Sequence, residues 1–293
     1  MGVIMKTNSN ESLYQLILEN MRILGASHTT LVALNAYMDA VRRLNCRQEG
    51  FMPSMRELNT LIRNTEPKLT PLIHLIDEFE TEMPPFETGS LEALKKEAIR
   101  LLEQKRERFE TATRRVTEKC MDCIVSEDFI IAHSPTGYLR DAFVRAYKEL
   151  KRRFSVLILK NDFYRTKELI NALKEHGVPH QVIPEYNLSH FLDRTNKLFI
   201  TAVSVTADGQ AVTGIGTANV VGLCRWHRIP IYLFVEGLKF TRLPLPEQRI
   251  YVAEEDRLES GFTFHMTTFS HDTISLRMID HLVTEEGETS VKP

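Results

Sequence analysis

Gly214-Ile215-Gly216-Thr217 is the stretch of this 293-residue chain whose residue types most directly suggest chemistry. Before it lie an apolar run, Leu198–Val205, and an Asp208-Gly209 turn. After it come a helical pattern from Ala218 to Arg228 and a second apolar run, Ile231–Val235. Strand, glycine turn, helix, strand is the pattern of a βαβ unit. Glycines at a helix start let ligand oxygens reach backbone N–H groups, where the helix dipole favours an anion. A phosphate near Gly216 and Thr217 is one expectation. The other is that the glycines only tighten the turn, and two glycines do not decide between them.

Other groups with chemical potential are scattered. Cys120-Met121-Asp122-Cys123 is a lone C-x-x-C, and a zinc site would need two further ligands that no second pair supplies. The pair closes a helical run and precedes a strand, the reverse of a thioredoxin-type order. These two cysteines, with Cys46 and Cys224, are expected to be reduced and structural, with neither a metal nor a cofactor. Asp162, Glu185, His190 and Asp208 are candidates for acid/base work, none compelling, and each is better explained as a surface or capping residue.

The elements that must position these groups fall into two halves, 1–124 and 125–293. The first half is helical. Glu11–Leu24 carries a helix-period stripe closed by Gly25, and a second helix capped by Ser27 or Thr29 runs to about Asn45. Pro53 is expected in the first turn of a third helix ending at Asn64. A fourth contains Leu72, Leu75, Ile76 and Phe79. Pro84-Pro85 and Gly89 interrupt the chain before the longest helix, from Ser90 to about Ile124. Its Lys, Arg and Glu residues read as a solvated face opposite a packed one.

The second half alternates strand and helix. Strands are expected at Phe129–Ala132, Phe154–Leu159 and Gln181–Pro184. Helices are expected through Leu139–Leu150 and Thr166–His176, with a short one at Leu188–Leu192. Phe262–Thr267 reads as a strand, and His271–Ile274 as the lead into a helix carrying Leu276, Met278, Ile279, Leu282 and Val283. The fold class is α/β: a helical amino-terminal domain ending in a long connecting helix, then a Rossmann-like domain with a mainly parallel sheet. Ligands bind such sheets beyond the carboxyl ends of the strands. The loops Ser134–Gly137, Asn161–Arg165 and Thr213–Thr217 would line that rim, and Arg165 is the guanidinium there able to fork onto a phosphate.

A formal charge of -2 is not the footprint of a nucleic-acid binder. No apolar run approaches the length of a membrane span, and MGVIMKTNSNES lacks the apolar core of a signal peptide, so a cytoplasmic location is expected.

Ala207-Asp208-Gly209, Ile215-Gly216-Thr217, Ile229-Pro230-Ile231-Tyr232 and Val283-Thr284-Glu285-Glu286-Gly287 together resemble the translation initiation factor 2B alpha/beta/delta family. That family includes methylthioribose-1-phosphate and ribose-1,5-bisphosphate isomerases. Glu236-Gly237-Leu238-Lys239-Phe240 is similar to a segment of the factor's regulatory subunits. The resemblance covers about residues 125–290 and implies the same two-domain fold.

The same resemblance exposes departures. The isomerases place a catalytic cysteine where Ala132-His133-Ser134-Pro135 has Ser134. They place a catalytic aspartate where Thr201-Ala202-Val203 has Val203. Met52-Pro53-Ser54 lacks the arginine of the family's amino-terminal motif. A valine cannot move a proton, and a serine hydroxyl is a poor substitute for a thiol. His133 beside Ser134 would point to the opposite face of a strand.

No catalytic residue is therefore assigned. The expected ligand-binding set is Ser134, Thr136, Gly137, Arg165, Gly214, Gly216, Thr217 and Lys239, for a phosphorylated sugar or nucleotide. A homodimer or higher oligomer through the Rossmann-like half is the implied assembly, with no membrane or direct nucleic-acid contact. Two alternatives stand beside this one. One is a sugar-phosphate aldose–ketose isomerase, an intramolecular oxidoreductase with altered catalytic residues. The other is a regulatory subunit of translation initiation.

Overall fold

The structure, a computed structural model, describes residues 25–64, 68–83, 90–134, 136–160, 163–248, 252–259 and 261–290. The expected first helix and the Pro84–Gly89 break lie outside them, apart from Gly25. Two compact units are found, residues 1–114 and 115–293, and the boundary falls inside the longest helix.

The first unit is helical. Helix α1 occupies residues 25–43, α2 Gln48–Arg63, α3 Thr70–Glu82, and α4 Leu91–Asp122 runs on past the unit boundary. Leu34, Tyr37, Phe51, Ile62, Leu72, Leu75, Ile76 and Phe79 are buried at 1% exposure or less, the positions a helix-period stripe turns inward. Tyr37 meets Phe79 edge-on, with ring centroids 5.7 Å apart. Ser90 caps α4, its Oγ accepting from Ala93 N–H at 3.3 Å. Two cations of α4 find partners on α3: buried Lys105 pairs with Glu78 and Glu82, and Arg108 with Glu78. Pro53 departs from expectation. It is the sixth residue of α2, past the first turn, because the helix begins five residues earlier at Gln48. Buried Phe51 and Met55 on either side outweigh the lost backbone bond.

The second unit is built on strands β1 Phe129–Ala132, β2 Ser155–Lys160, β3 His180–Pro184, β4 Lys197–Thr201, β5 Ser204–Val205, β6 Gln210–Thr213, β7 Ile231–Phe234, β8 Val252–Glu259, β9 Phe262–Phe269, β10 Asp272–Ser275, β11 His281–Thr284 and β12 Gly287–Ser290. A seven-stranded sheet has the order β12-β11-β7-β4-β1-β2-β3 and is parallel except for β12. Helices α5 Gly137–Lys148, α6 Phe163–Glu175 and α7 Thr217–Trp226 connect its strands. Alternate strand residues feed two apolar layers. Ile130, Ala132, Phe199 and Phe234 pack with Phe143 and Leu169 on one face. Ile131, Leu157, Leu198 and Ile200 pack with Val220 and Cys224 on the other. Burial on both faces is what a parallel sheet requires.

Two expectations are corrected. The run Leu198–Val205 is not one strand. β4 ends at Thr201, and β5 leaves to pair antiparallel with β6 in a second sheet of order β10-β6-β5. The expected carboxy-terminal helix is β10, a short 3₁₀ turn at Leu276–Met278, and β11. Its apolar spacing fits a helix, but Val283 sits opposite Phe234 in a parallel ladder, and tertiary pairing overrides the local period. The β8–β9 hairpin adds a strand, β8, to the one expected at Phe262–Thr267.

Candidate functional site

The carboxyl ends of β1, β3 and β6 converge on the start of α7. The chain leaves β1 at Ala132, and Ser134 takes a left-handed conformation, φ 48°. Its carbonyl is held by Thr201 Oγ1 at 3.0 Å. Because Ser134 is off the strand, the opposite-face relation assumed for His133 and Ser134 has no extended backbone to rest on.

His133 is fully buried, and its two ring nitrogens face Glu185 and Thr217. Its Nε2 is 3.0 Å from Glu185 Oε2, and its Nδ1 is 3.1 Å from Thr217 Oγ1. Thr217 in turn donates to Gly214 O at 2.6 Å. A threonine has one hydroxyl hydrogen. If it is spent on Gly214 O, Nδ1 must donate to Thr217. The His133–Glu185 contact then needs a second hydrogen, carried by the imidazole or the carboxyl. The four groups so form one proton-sharing chain ending on Glu185, whose side chain is 21% exposed.

Both glycines of the corner are required by this packing. A side chain on Gly214 would collide with Ser134 Oγ. Gly216, at φ 87°, is the left-handed residue before α7, and a side chain there would strike the Glu185 carboxylate. Asp272, opposite Thr213 in the β10–β6 ladder, places Oδ2 3.0 Å from Ala218 N–H. A cleft of about 740 Å³ opens here, lined by Lys160, Glu185, Tyr186, Asn219 and Asp272 among others. Ile215 and Leu223 also line it, and Tyr186 at its edge is 84% exposed.

The expected site residues divide between places. Ser134, Gly214, Gly216 and Thr217 meet at this corner. Thr136 and Gly137 stand at the start of α5. Arg165 is in the first turn of α6. Its side chain, with Asp162, lies outside the described residues. Lys239 is fully buried, its Nζ 2.8 Å from the equally buried Glu236 Oε2 and 5.3 Å from the Tyr138 ring centroid. Burial and the Glu236 charge push the Tyr138 hydroxyl well above its ordinary value. Val203 is 9% exposed, its N–H bonded to Val212 O at 2.8 Å. Of the other acid/base candidates, Glu185 is at the corner, His190 is exposed on the turn after β3, and Asp208 accepts from Thr206 in the β5–β6 turn. Sequence reasoning missed His133 as Glu185's partner, since 52 residues separate them, and missed Asp272, which sits in the expected lead into a helix and is in β10.

Among the described residues no group of His, Cys, Asp or Glu could hold a metal ion, and no helix is long and apolar enough to cross a membrane. Cys120 and Cys224 are buried free thiols, and Cys46 and Cys123 are half-buried ones.

The profile of the Initiation factor 2 subunit family, IF-2B, matches residues 22–290. A translation initiation factor eIF-2B subunit 2-like protein of Pyrococcus abyssi is 25% identical over 91% of both chains. A ribose 1,5-bisphosphate isomerase of Archaeoglobus fulgidus is 20% identical over 83% of this chain and 75% of its own. The crystal structure of the translation initiation factor eIF-2B of Pyrococcus horikoshii OT3 has the same fold. It superposes with a TM-score of 0.75 at 23% identity, covering 96% of this chain and 98% of that one. The chain belongs to the Initiation factor 2 subunit family, which holds both translation-factor subunits and sugar-phosphate isomerases.

Proposed function

We propose that this chain is a non-catalytic member of the family that binds a phosphorylated sugar or nucleotide in the α7 cleft and self-associates through its Rossmann-like unit. One observation carries the reading. Val203, almost buried, occupies the position that the resemblance assigns to the isomerases' catalytic aspartate. Moving a proton or hydride between adjacent sugar carbons needs a group that polarises or protonates the sugar oxygens, and an isopropyl side chain offers none. Ser134 stands at the cysteine position, and a serine hydroxyl is a poor substitute for a thiol. The test is a panel of phosphorylated sugars and nucleotides against thermal stability, with light scattering for mass. A rise in melting temperature and a mass of two chains support the reading. No response from any ligand removes its binding half, and a monomer removes its association half.

A second reading has one specific observation in its favour. The Glu185–His133 pair puts a carboxylate backed by an imidazole at the cleft wall, which is the equipment of a general acid/base. On that reading the chain is a sugar-phosphate isomerase with relocated residues. Conversion of ribose 1,5-bisphosphate or methylthioribose 1-phosphate, lost in Glu185→Gln, would establish it.

A further inference from the structure

The start of α7 is where a bound phosphate would ordinarily find free backbone N–H groups. In this chain two of those groups are already engaged. Thr217 N–H points to Gly214 O at 3.3 Å. Ala218 N–H donates to Asp272 Oδ2 at 3.0 Å. The Glu185 carboxylate packs on Gly216, held there by His133. Two acceptor-only side chains from separate elements, β10 and the turn after β3, thus stand where phosphate oxygens would stand. Among the described residues lining the cleft the cation is Lys160, at the carboxyl end of β2.

We infer that Glu185 and Asp272 are specificity-determining residues that bar phosphate from the Gly216–Thr217 corner, so that a ligand meets the corner with its hydroxyl groups and carries its anionic end toward Lys160. Asp272 and a phosphate compete for the Ala218 amide, and both carboxylates repel a phosphate's charge. Sugar hydroxyls donate, and both carboxylates can receive them. This rests on the ligand-binding reading for the hydroxyl half. The exclusion of phosphate stands on the corner alone, and it reverses the sequence-based expectation of a phosphate at Gly216 and Thr217.

The test uses inorganic phosphate as the probe and the full chain, with the backbone amide resonances of Lys160, Gly216, Thr217 and Ala218 as readout. Glu185→Gln keeps a carbonyl oxygen facing His133, and Asp272→Asn keeps an acceptor for Ala218 N–H, so both variants are expected to fold. In the wild type, phosphate is expected to leave the three corner amides unmoved. In the double variant it is expected to shift them saturably, by at least ten times any wild-type change, and each single variant should fall between. Corner amides that titrate equally in wild type and double variant would overturn the inference. So would a double variant whose dispersed spectrum shows it folded and whose corner amides do not respond. A second titration with ribose 5-phosphate separates this from the ligand reading. Wild-type shifts at both Lys160 and the corner support the proposed orientation. Corner shifts that survive Lys160→Ala undiminished contradict it. Silence toward every sugar phosphate would remove the binding function while leaving the phosphate result intact.

Discussion

Two charged clusters in the Rossmann-like unit have similar components and opposite settings. At the α7 corner, Glu185 joins His133 and faces a cleft, one-fifth exposed. At the end of β7, Glu236 joins Lys239 with both side chains sealed from solvent. The sequence-based ligand-binding set names Lys239 beside the corner residues. Position separates them. A carboxylate on the wall of a cleft can exchange its partner for a ligand at small cost. A buried ion pair cannot, because either charge left alone in an apolar interior is strongly penalised. The Glu236–Lys239 contact is also a close charge pair rather than a well-aligned hydrogen bond, and the Tyr138 ring adds a cation–π partner.

That contrast can be broken most forcefully at the sealed pair. Lys239→Ala leaves the Glu236 carboxylate uncompensated and is expected to cost about 3–5 kcal/mol of unfolding free energy. Urea denaturation measures it, and a loss under 1 kcal/mol would mean that the pair is not sealed. Gly216→Ala comes next. It asks an L-residue to adopt φ 87° and to displace the Glu185 carboxylate, for about 2–4 kcal/mol together. Ligand-induced stabilisation should vanish in this variant even at temperatures where it remains folded.

A smaller effect concerns the apolar layer behind the corner. Burial pushes the Cys224 thiol up to about 12 from its ordinary 9.0. The unfolded chain releases this proton first, so the contribution runs downhill with alkalinity. It is fully present below pH 9, falls by up to about 1.4 kcal/mol per pH unit above it, and levels off past pH 12. Denaturation midpoints at pH 8, 9 and 10 should decline, and less steeply in Cys224→Ala. The smallest effect is expected from Thr217→Val. It keeps the shape and removes the hydroxyl that links His133 to Gly214 O, for about 1 kcal/mol. A corresponding deletion in the sealed cluster should cost more.

Much of this architecture was legible in local sequence. Phe129–Ala132 reads as a strand from its apolar run and is β1 with the same bounds. The helix after Gly216 announces itself through glycine followed by a 3.6-residue period, and α7 begins at Thr217. What local reading could not supply was pairing between distant segments. Val205 looks continuous with Leu198, yet β5 finds a better partner in β6 than the large sheet offers at that height. Leu276, Met278, Ile279 and Val283 have helical spacing, yet the unfilled edge of β7 recruits β11 as a strand. The site follows the same division. Its glycines were visible because a tight corner demands them. The Glu185–His133 bond and the Asp272 cap were not, because each joins residues more than fifty positions apart.

The most direct measurement of the central claim is turnover. Incubating the full chain with ribose 1,5-bisphosphate and with methylthioribose 1-phosphate, and following the carbonyl product by NMR, reports whether proton or hydride transfer occurs without an acid at position 203. Binding with no conversion is the expected result. Conversion by the wild type, abolished in Glu185→Gln and retained in Ser134→Ala, would contradict it and assign the chemistry to the Glu185–His133 pair.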